Sequence, residues 1–328
     1  MKPAVAAVDW GTSSFRLWLL DAAGMVLAER RSGEGMLTAS AEGFGPILEK
    51  HLAAAGASEI LPAIICGMAG ARQGWIEAPY VTLPAGLDGI LAGAVPVPGQ
   101  GLGQGGGQPR EIRILPGLAQ RSAETPDVMR GEETQLAGLL PLFASGRHVI
   151  CMPGTHSKWV EAEDGVISGF RTWLTGELFS VLSTQSILRH SLGENAAPPL
   201  PDTPAFVAAC AEALGQGGDI GPSLFRIRAA TLLNDLAPED ASATLSGLLI
   251  GAEIASARRM FNPPANKVIL VASGPLGSLY AAALKLAGCT VLAADADEAV
   301  RAGLFEAAKR LGWMGADSTG PASESLAP

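Results

Sequence analysis

Cysteine, histidine and positive charge are all scarce in this chain. Its four cysteines (Cys66, Cys151, Cys210, Cys289) are spread over 328 residues with no C-x-x-C pair. Neither a disulfide framework nor a thiolate zinc site is written there, and four isolated thiols read as buried free cysteines of a cytosolic protein. The four histidines stand at no metal-ligand spacing, and His51, His148 and His190 read as structural. Lys and Arg number 23 against 32 Asp and Glu, for a net charge of −9, which argues against a nucleic acid or an anionic membrane as partner. No uncharged apolar run approaches the ~18 residues of a membrane span. The N-terminus does not resemble a signal peptide, because Asp9 interrupts a short apolar start. The expectation is a soluble, cytoplasmic protein acting on a small molecule, its oligomeric state left open, a homodimer included.

What the chain does have is apolar surface and repetition. Hydrophobic residues make up 48% and charged residues 17%, so large cores can form, and the length favours two domains over one. One pattern occurs twice: residues 4–27 read AVAAVDWGTSSFRLWLLDAAGMVL, and residues 148–167 read HVICMPGTHSKWVEAEDGVI. Each copy is an apolar strand, a Gly-Thr turn with a serine two residues on, a second strand, an acidic-Gly turn and a third strand. Gly11-Thr12 matches Gly154-Thr155, Ser14 matches Ser157, and Gly24 matches Gly165. Two glycine turns presenting backbone N–H groups can grip one polyphosphate from both sides, and so long an internal repeat implies two similar halves facing a cleft.

Along the chain, strands are expected at 4–9, 14–21 and 24–32, a helix at 41–55, a buried strand in 61–70 and a short strand at 112–115. Residues 96–109 (PVPGQGLGQGGGQP) read as a flexible loop; without a GK[ST] ending or a following helix they are no phosphate cradle. A helix opens at RGEETQLAGLL from Arg130, the second three-strand unit starts at Arg147, and a helix begins at Glu177. Residues 203–262 are mainly helical, then KVILV, a glycine turn, a helix, a short strand and a last helix at 297–312 follow. The fold class predicted is α/β, each half a mixed sheet flanked by helices. The predicted division is 1–145, 146–298, a final helix at 299–313 packing back on the first half, and a disordered tail at 314–328.

Three loops carry the candidate chemistry. Asp9-Trp10-Gly11-Thr12-Ser13-Ser14 places a carboxylate at the mouth of a glycine turn, where it can hold Mg²⁺ through water beside phosphate-binding amides of Gly11, Thr12 and Ser13. Gly154-Thr155-His156-Ser157 is its partner, with His156 and Lys158 as candidate phosphate contacts. Ser273-Gly274-Pro275-Leu276-Gly277 joins a strand to a helix and, with Ser273, Gly274 and Gly277, is the candidate adenosine seat.

DWGTSSFR, PGTHSK and VASGPLGS resemble the two phosphate motifs and the adenosine motif of the sugar kinase/heat-shock 70/actin superfamily. Within it, GMAGARQGWIEAPY (67–80), RGEETQLAGL (130–139), PGTHSKWV (153–160) and TWLTGELFSVL (172–182) are similar to the 2-dehydro-3-deoxygalactonokinase family. The match spans roughly 4–312 in the family's order; the glycine-rich insert 99–108 and the tail after 313 depart from it. The resemblance implies two actin-like (ribonuclease H-like) domains around an interdomain cleft. It also implies ATP- and Mg²⁺-dependent phosphorylation of 2-dehydro-3-deoxy-D-galactonate at its C6 hydroxyl in galactonate catabolism. A related acid such as 2-dehydro-3-deoxygluconate, a polyphosphatase-like hydrolase or an actin-like ATPase are the alternatives.

That chemistry needs a proton acceptor, and Glu132 and Glu133 stand at a helix start before the second half. At helical spacing Glu133 joins the apolar stripe of Leu136, Leu139 and Leu140, so it is expected on the cleft side with Glu132 pointing outward. A sugar acid needs a carboxylate clamp. Arg72, in a glycine-rich loop after a buried strand, is the first candidate, Arg16 the second, and Trp75 could wall the sugar chain.

Overall fold

The computed structural model describes residues 1–98, 110–193 and 199–314; the glycine-rich insert and the tail after 314 lie outside them. The first half opens with β1 (Val5–Trp10), β2 (Phe15–Leu20) and β3 (Val26–Ser32), an antiparallel meander. Helices α1 (Met36–Glu42) and α2 (Phe44–Ala54) follow, then β4 (Ala63–Gly67), which pairs parallel with β1. Short elements come next: β5 (Val81–Thr82), β6 (Ala85–Gly86), α3 (Leu87–Ala92), β7 (Val95–Pro96), β8 (Ile112–Ile114), β9 (Leu118–Gln120) and β10 (Asp127–Met129). Helices α4 (Glu132–Gly138) and α5 (Leu140–Phe143) lead into the second half.

The second half repeats the plan. β11 (Arg147–Met152), β12 (Ser157–Glu163) and β13 (Val166–Trp173) form the meander, followed by α6 (Thr175–Gln185), α7 (Arg189–Leu192), α8 (Pro204–Gly215), α9 (Gly221–Leu233) and α10 (Pro238–Phe261). Then come β14 (Lys267–Val271), α11 (Gly274–Leu286), β15 (Thr290–Ala294) and α12 (Ala296–Arg310). The sheets run β3-β2-β1-β4-β8-β7 and β15-β14-β11-β12-β13-β6, with a three-stranded sheet β10-β9-β5 beside them. Stripped of the edge strands β7 and β6, the two large sheets have the same order. The fold is therefore α/β with two sheet-bearing, actin-like domains. Strand β6 comes from the first half yet closes the edge of the second sheet.

The alternation along β1 shows how both faces are filled. Ala6, Val8 and Trp10 face one core, with Ile47, Leu48 and Leu52 of α2, while Val5 and Ala7 face another, with Val300, Leu304 and Ala307 of α12. A strand covered on both faces reads as an unbroken apolar run, which is why VAAVDW carries one charge and no exposed position. Edge strand β3, by contrast, carries Glu29, Arg30 and Arg31 and is mostly exposed, the usual protection of a free edge. In the second sheet, Val149 and Cys151 pack against α8, α10 and α11, while Ile150 and Met152 face Leu136, Phe143 and Ala299 of α4, α5 and α12.

Helices α4 and α12 thus lie between the two sheets, and they cross backbone to backbone. A Cβ on Gly303 would meet Thr134 O at 1.9 Å, and one on Gly138 would meet Ala299 O at 2.0 Å. The last helix packs back on the first sheet through Val300 and Leu304. Among the described residues, no helix is long and apolar enough to cross a membrane.

Two expectations needed revision. The helix placed at 41–55 is a pair, because Gly43 at φ +95° breaks it and α1 already starts at Met36. The strand placed in 61–70 ends at Gly67 (φ +85°), where a 3₁₀ turn over Met68–Gly70 takes over.

Candidate active site

Each meander brings its glycine turn to the end of its sheet, and each turn is braced in the same way. In the first, the Gly11 amide donates to Ser14 O at 2.8 Å, and the amides of Met36 and Leu37 donate to Gly11 O and Thr12 O at 2.9 and 3.1 Å. Gly35 lies so close that a Cβ would meet the Thr12–Ser13 backbone at 2.5 Å. In the second, the Glu177 amide donates to Thr155 O at 3.0 Å, and a Cβ on Gly176 would meet Gly154 O at 2.6 Å. The bracing glycine comes just after the third strand of each half, so the repeat extends beyond the turns themselves. Thr12, Ser13, Ser14, Thr155 and His156 are exposed, so these turns face solvent where a ligand could reach them.

Asp9 pairs across the sheet with Arg16 on β2 and Cys66 on β4. It is buried, and burial raises its carboxyl above the ordinary range while the Arg16 guanidinium pulls it back. One oxygen is held by Arg16; the other has only the Cys66 thiol, at 3.8 Å. Arg16 grips Asp9 with one arm and Asp297, at the start of α12, with the other. Both arms of Arg16, the second candidate for the carboxylate clamp, are engaged with protein carboxylates. Asp297 also takes Arg31 Nη2 at 2.7 Å.

The two glutamates at the start of α4 depart from expectation. Glu133 shares a face with Leu136 as its spacing implies, but that face is the sealed interior: it has 0% exposure. The Gly131 amide donates to its Oε2 at 2.6 Å and Thr134 Oγ1 to its Oε1 at 2.9 Å. Burial, and then the neighbouring Glu132, pushes its pKa up to about 8. Glu132, expected to point outward, instead reaches the second half, its Oε1 3.5 Å from Lys158 Nζ. Gly131 (φ +108°) sets the helix start against Gly67, and the Cys66 thiol is raised by burial together with the Asp9 and Glu133 carboxylates. Asp9 and Glu133 therefore share one neighbourhood.

Arg72 is exposed and, among the described residues, makes no ion pair. Trp75 is half-buried and stacks on Phe44 (5.9 Å between rings, 15° between planes), edge-on to Trp10 at 6.2 Å. It belongs to the aromatic core behind the first turn as much as to any site. His156 donates to Glu177 Oε2 at 2.5 Å.

A cavity of about 860 Å³ opens beside the second turn, between Gly154, Thr175 and Gly176 and the side chains Pro275, Leu276 and Tyr280 of α11. It is large enough for a nucleoside. Of the predicted seat, Gly274 (φ +69°) turns the chain, and Ser273 is tied to Asp295 Oδ2 at 2.8 Å. The wall itself comes from residues further along α11. His190, read as structural, lines this cavity with Arg189 and with Ser242 and Ser246 of α10. Lone polar residues on separate helices leave no mark in the sequence, so no local signal could have assembled that wall.

Residues 9–307 match the model of the 2-keto-3-deoxy-galactonokinase family. The chain is 51% identical over 306 residues to a protein of Rhizobium meliloti named a probable 2-dehydro-3-deoxygalactonokinase, covering 93% of this chain and 97% of that one. It is 37% identical over 305 residues to the 2-dehydro-3-deoxygalactonokinase of Escherichia coli, with the same coverage. A crystal structure of a Sinorhizobium meliloti protein carrying the same kinase name provisionally superimposes with a TM-score of 0.86 at 51% identity, over 94% of this chain and 99% of that one. The ADPNP-bound activator of a Clostridium difficile 2-hydroxyisocaproyl-CoA dehydratase, 13% identical with a TM-score of 0.50 over 96% and 99%, shares the fold alone. The chain belongs to the 2-keto-3-deoxy-galactonokinase family.

Proposed function

We propose that the protein transfers the terminal phosphoryl group of ATP to the C6 hydroxyl of 2-dehydro-3-deoxy-D-galactonate, as a cytoplasmic enzyme of galactonate catabolism. The observation that carries this reading is the pair of similarly braced glycine turns at the ends of two like-ordered sheets, with Glu132 of the first half reaching Lys158 beside the second turn. Two such sets of turn amides would suit a polyphosphate held between them, and the cavity beside the second turn suits the adenosine. The two domains would be 1–145 and 146–298, with α12 spanning back between them.

Asp9 suits a magnesium ion. One of its oxygens has only a weak thiol contact, so it could serve a cation such as Mg²⁺, which keeps water and phosphate oxygens as most of its ligands. Bound there, the ion would neutralise charge on the phosphates. Arg16 holds Asp9 in register, and Lys158 is the cation at the second turn.

Glu133 is the proton acceptor in this reading. A buried carboxyl with no cation at its side is costly to keep, and a value near 8 is what a base working near neutrality needs. Its sealed position means that it would meet a substrate hydroxyl only after the site rearranges, in keeping with catalytic contacts that form only once ligands are bound. Arg72 is the free guanidinium for the substrate carboxylate.

A panel of 2-keto-3-deoxy sugar acids with coupled ADP detection tests the proposal. The galactonate-derived acid should be the best substrate; preference for the gluconate-derived acid would shift the substrate, and ATP turnover indifferent to every acid would leave a hydrolase or an actin-like ATPase.

A further inference from the structure

Glu253 on α10 is a buried carboxyl that the reaction does not call on. It is 2% exposed, and its partners come from β12, α6 and α11. Trp159 Nε1 of β12 donates to its Oε1 at 2.8 Å. Its Oε2 takes the Tyr280 hydroxyl of α11 at 2.6 Å and the Thr175 hydroxyl from the start of α6. The Tyr280 proton is committed to Glu253, so at the 3.0 Å contact between Tyr280 and Ser157 the serine is the donor. Ser157 Oγ in turn accepts from the Gly154 amide at 3.5 Å. A directed chain of donors therefore runs from the second glycine turn through Ser157 and Tyr280 to Glu253.

Among the described residues no lysine or arginine neutralises this carboxyl, and its hydrogen-bond partners are neutral donors. Burial raises its pKa, and the hydrogen bonds from Thr175, Tyr280 and Trp159 oppose that rise. A lone buried acid costs stability, and a core built for stability alone would place an apolar residue there. What Glu253 gains is geometry. Thr175 and Tyr280 line the 860 Å³ cavity, Gly154 stands at its edge, and all three hang directly or through Ser157 on one carboxyl.

We propose that Glu253 is the positioning residue of the nucleotide side, holding Thr175, Tyr280 and the Gly154 turn in the arrangement that binds the nucleoside diphosphate part of ATP. The inference rests on the kinase reading. Glu253→Gln keeps shape and one acceptor oxygen but sets an N–H₂ against donors on the other side, so either Trp159 or the Thr175–Tyr280 pair loses its acceptor and the network is broken. Titration of ADP into Glu253→Gln should show binding weakened about tenfold or more, with KM for the sugar acid within about twofold of wild type. Tyr280→Phe keeps the ring buried and removes one link; it should weaken ADP binding in the same sense, and the double variant should be no worse than Glu253→Gln alone. If Glu253→Gln does not fold, Tyr280→Phe carries the test. Folded variants that bind ADP as wild type does, or that lose both ligands alike while melting earlier, would overturn the inference. Wild-type protein that binds no ADP would overturn the kinase reading as well.

Discussion

Lys158 Nζ stands 3.5 Å from Glu132 Oε1, and the two residues belong to different halves of the molecule. Lys158 is 5% exposed, and its ammonium is met by this carboxylate and by His156 O, also at 3.5 Å. A polyphosphate at the second turn would compete for the same ammonium. Lys158→Met should therefore raise KM for ATP by about 10- to 150-fold, the worth of one charge-assisted hydrogen bond, while KM for the sugar acid holds. Steady-state kinetics with each substrate varied in turn reads this directly.

Glu133→Gln keeps the helix start but cannot accept a proton, and turnover should fall by about 10²–10⁴-fold with little change in ATP affinity. With the carboxyl pushed up to about 8, wild-type kcat/KM should climb as pH rises toward 8, and the variant should lose that limb. Stability runs the other way. The folded state holds the proton more tightly than the unfolded chain, so stability is fully present below about 4.5 and declines as pH rises through about 8. Melting temperatures should accordingly show Glu133→Gln more stable than wild type near pH 9 and much closer to it near pH 5. A variant pair in which Glu132→Gln is inactive and Glu133→Gln active would move the base by one residue.

Asp9→Asn should remove most activity and leave the fold intact, as circular dichroism and kinetics over a magnesium series would show. Near wild-type turnover at saturating Mg²⁺ would take Asp9 out of the metal's coordination. The Arg16 bridge to Asp297 persists in the variant, so the helix α12 start should stay in place.

Arg72→Ala should raise KM for the sugar acid by roughly 10- to 150-fold and leave KM for ATP near its wild-type value. An equal effect on both would place Arg72 outside the acid site. Its exposure means no fold penalty is expected, since surface substitutions usually stay within about 0.5 kcal/mol.

How much of this was legible depends on how local the cause is. The meanders, the glycine turns and the strand–turn–helix at Gly274 follow from apolar runs broken by Gly, and the structure has them within a residue or two. Gly35 and Gly176 were equally readable, each just beyond a third strand, yet their role shows only once the turn lies against them. The phase of α4 was also right: Glu133 does lie with Leu136. The error was to take a helix's apolar stripe for its cleft side, when α4 is wedged between a sheet and α12 and its stripe is sealed. The Arg16–Asp297 pair left no sign in the sequence, because Asp297 comes from the far end of the chain. Short strands such as β5, β6 and β10, two or three residues long, are shorter than any periodicity and are held by their neighbours.

The central claim is that ATP turnover is tied to a sugar acid. Purified protein with excess ATP and Mg²⁺ should form ADP in one-to-one amount with added 2-dehydro-3-deoxy-D-galactonate, and the product should carry phosphate on C6 by phosphorus–carbon coupling in NMR. ADP formed at the same rate with and without the acid, and no phosphorylated sugar in the mixture, would contradict the account.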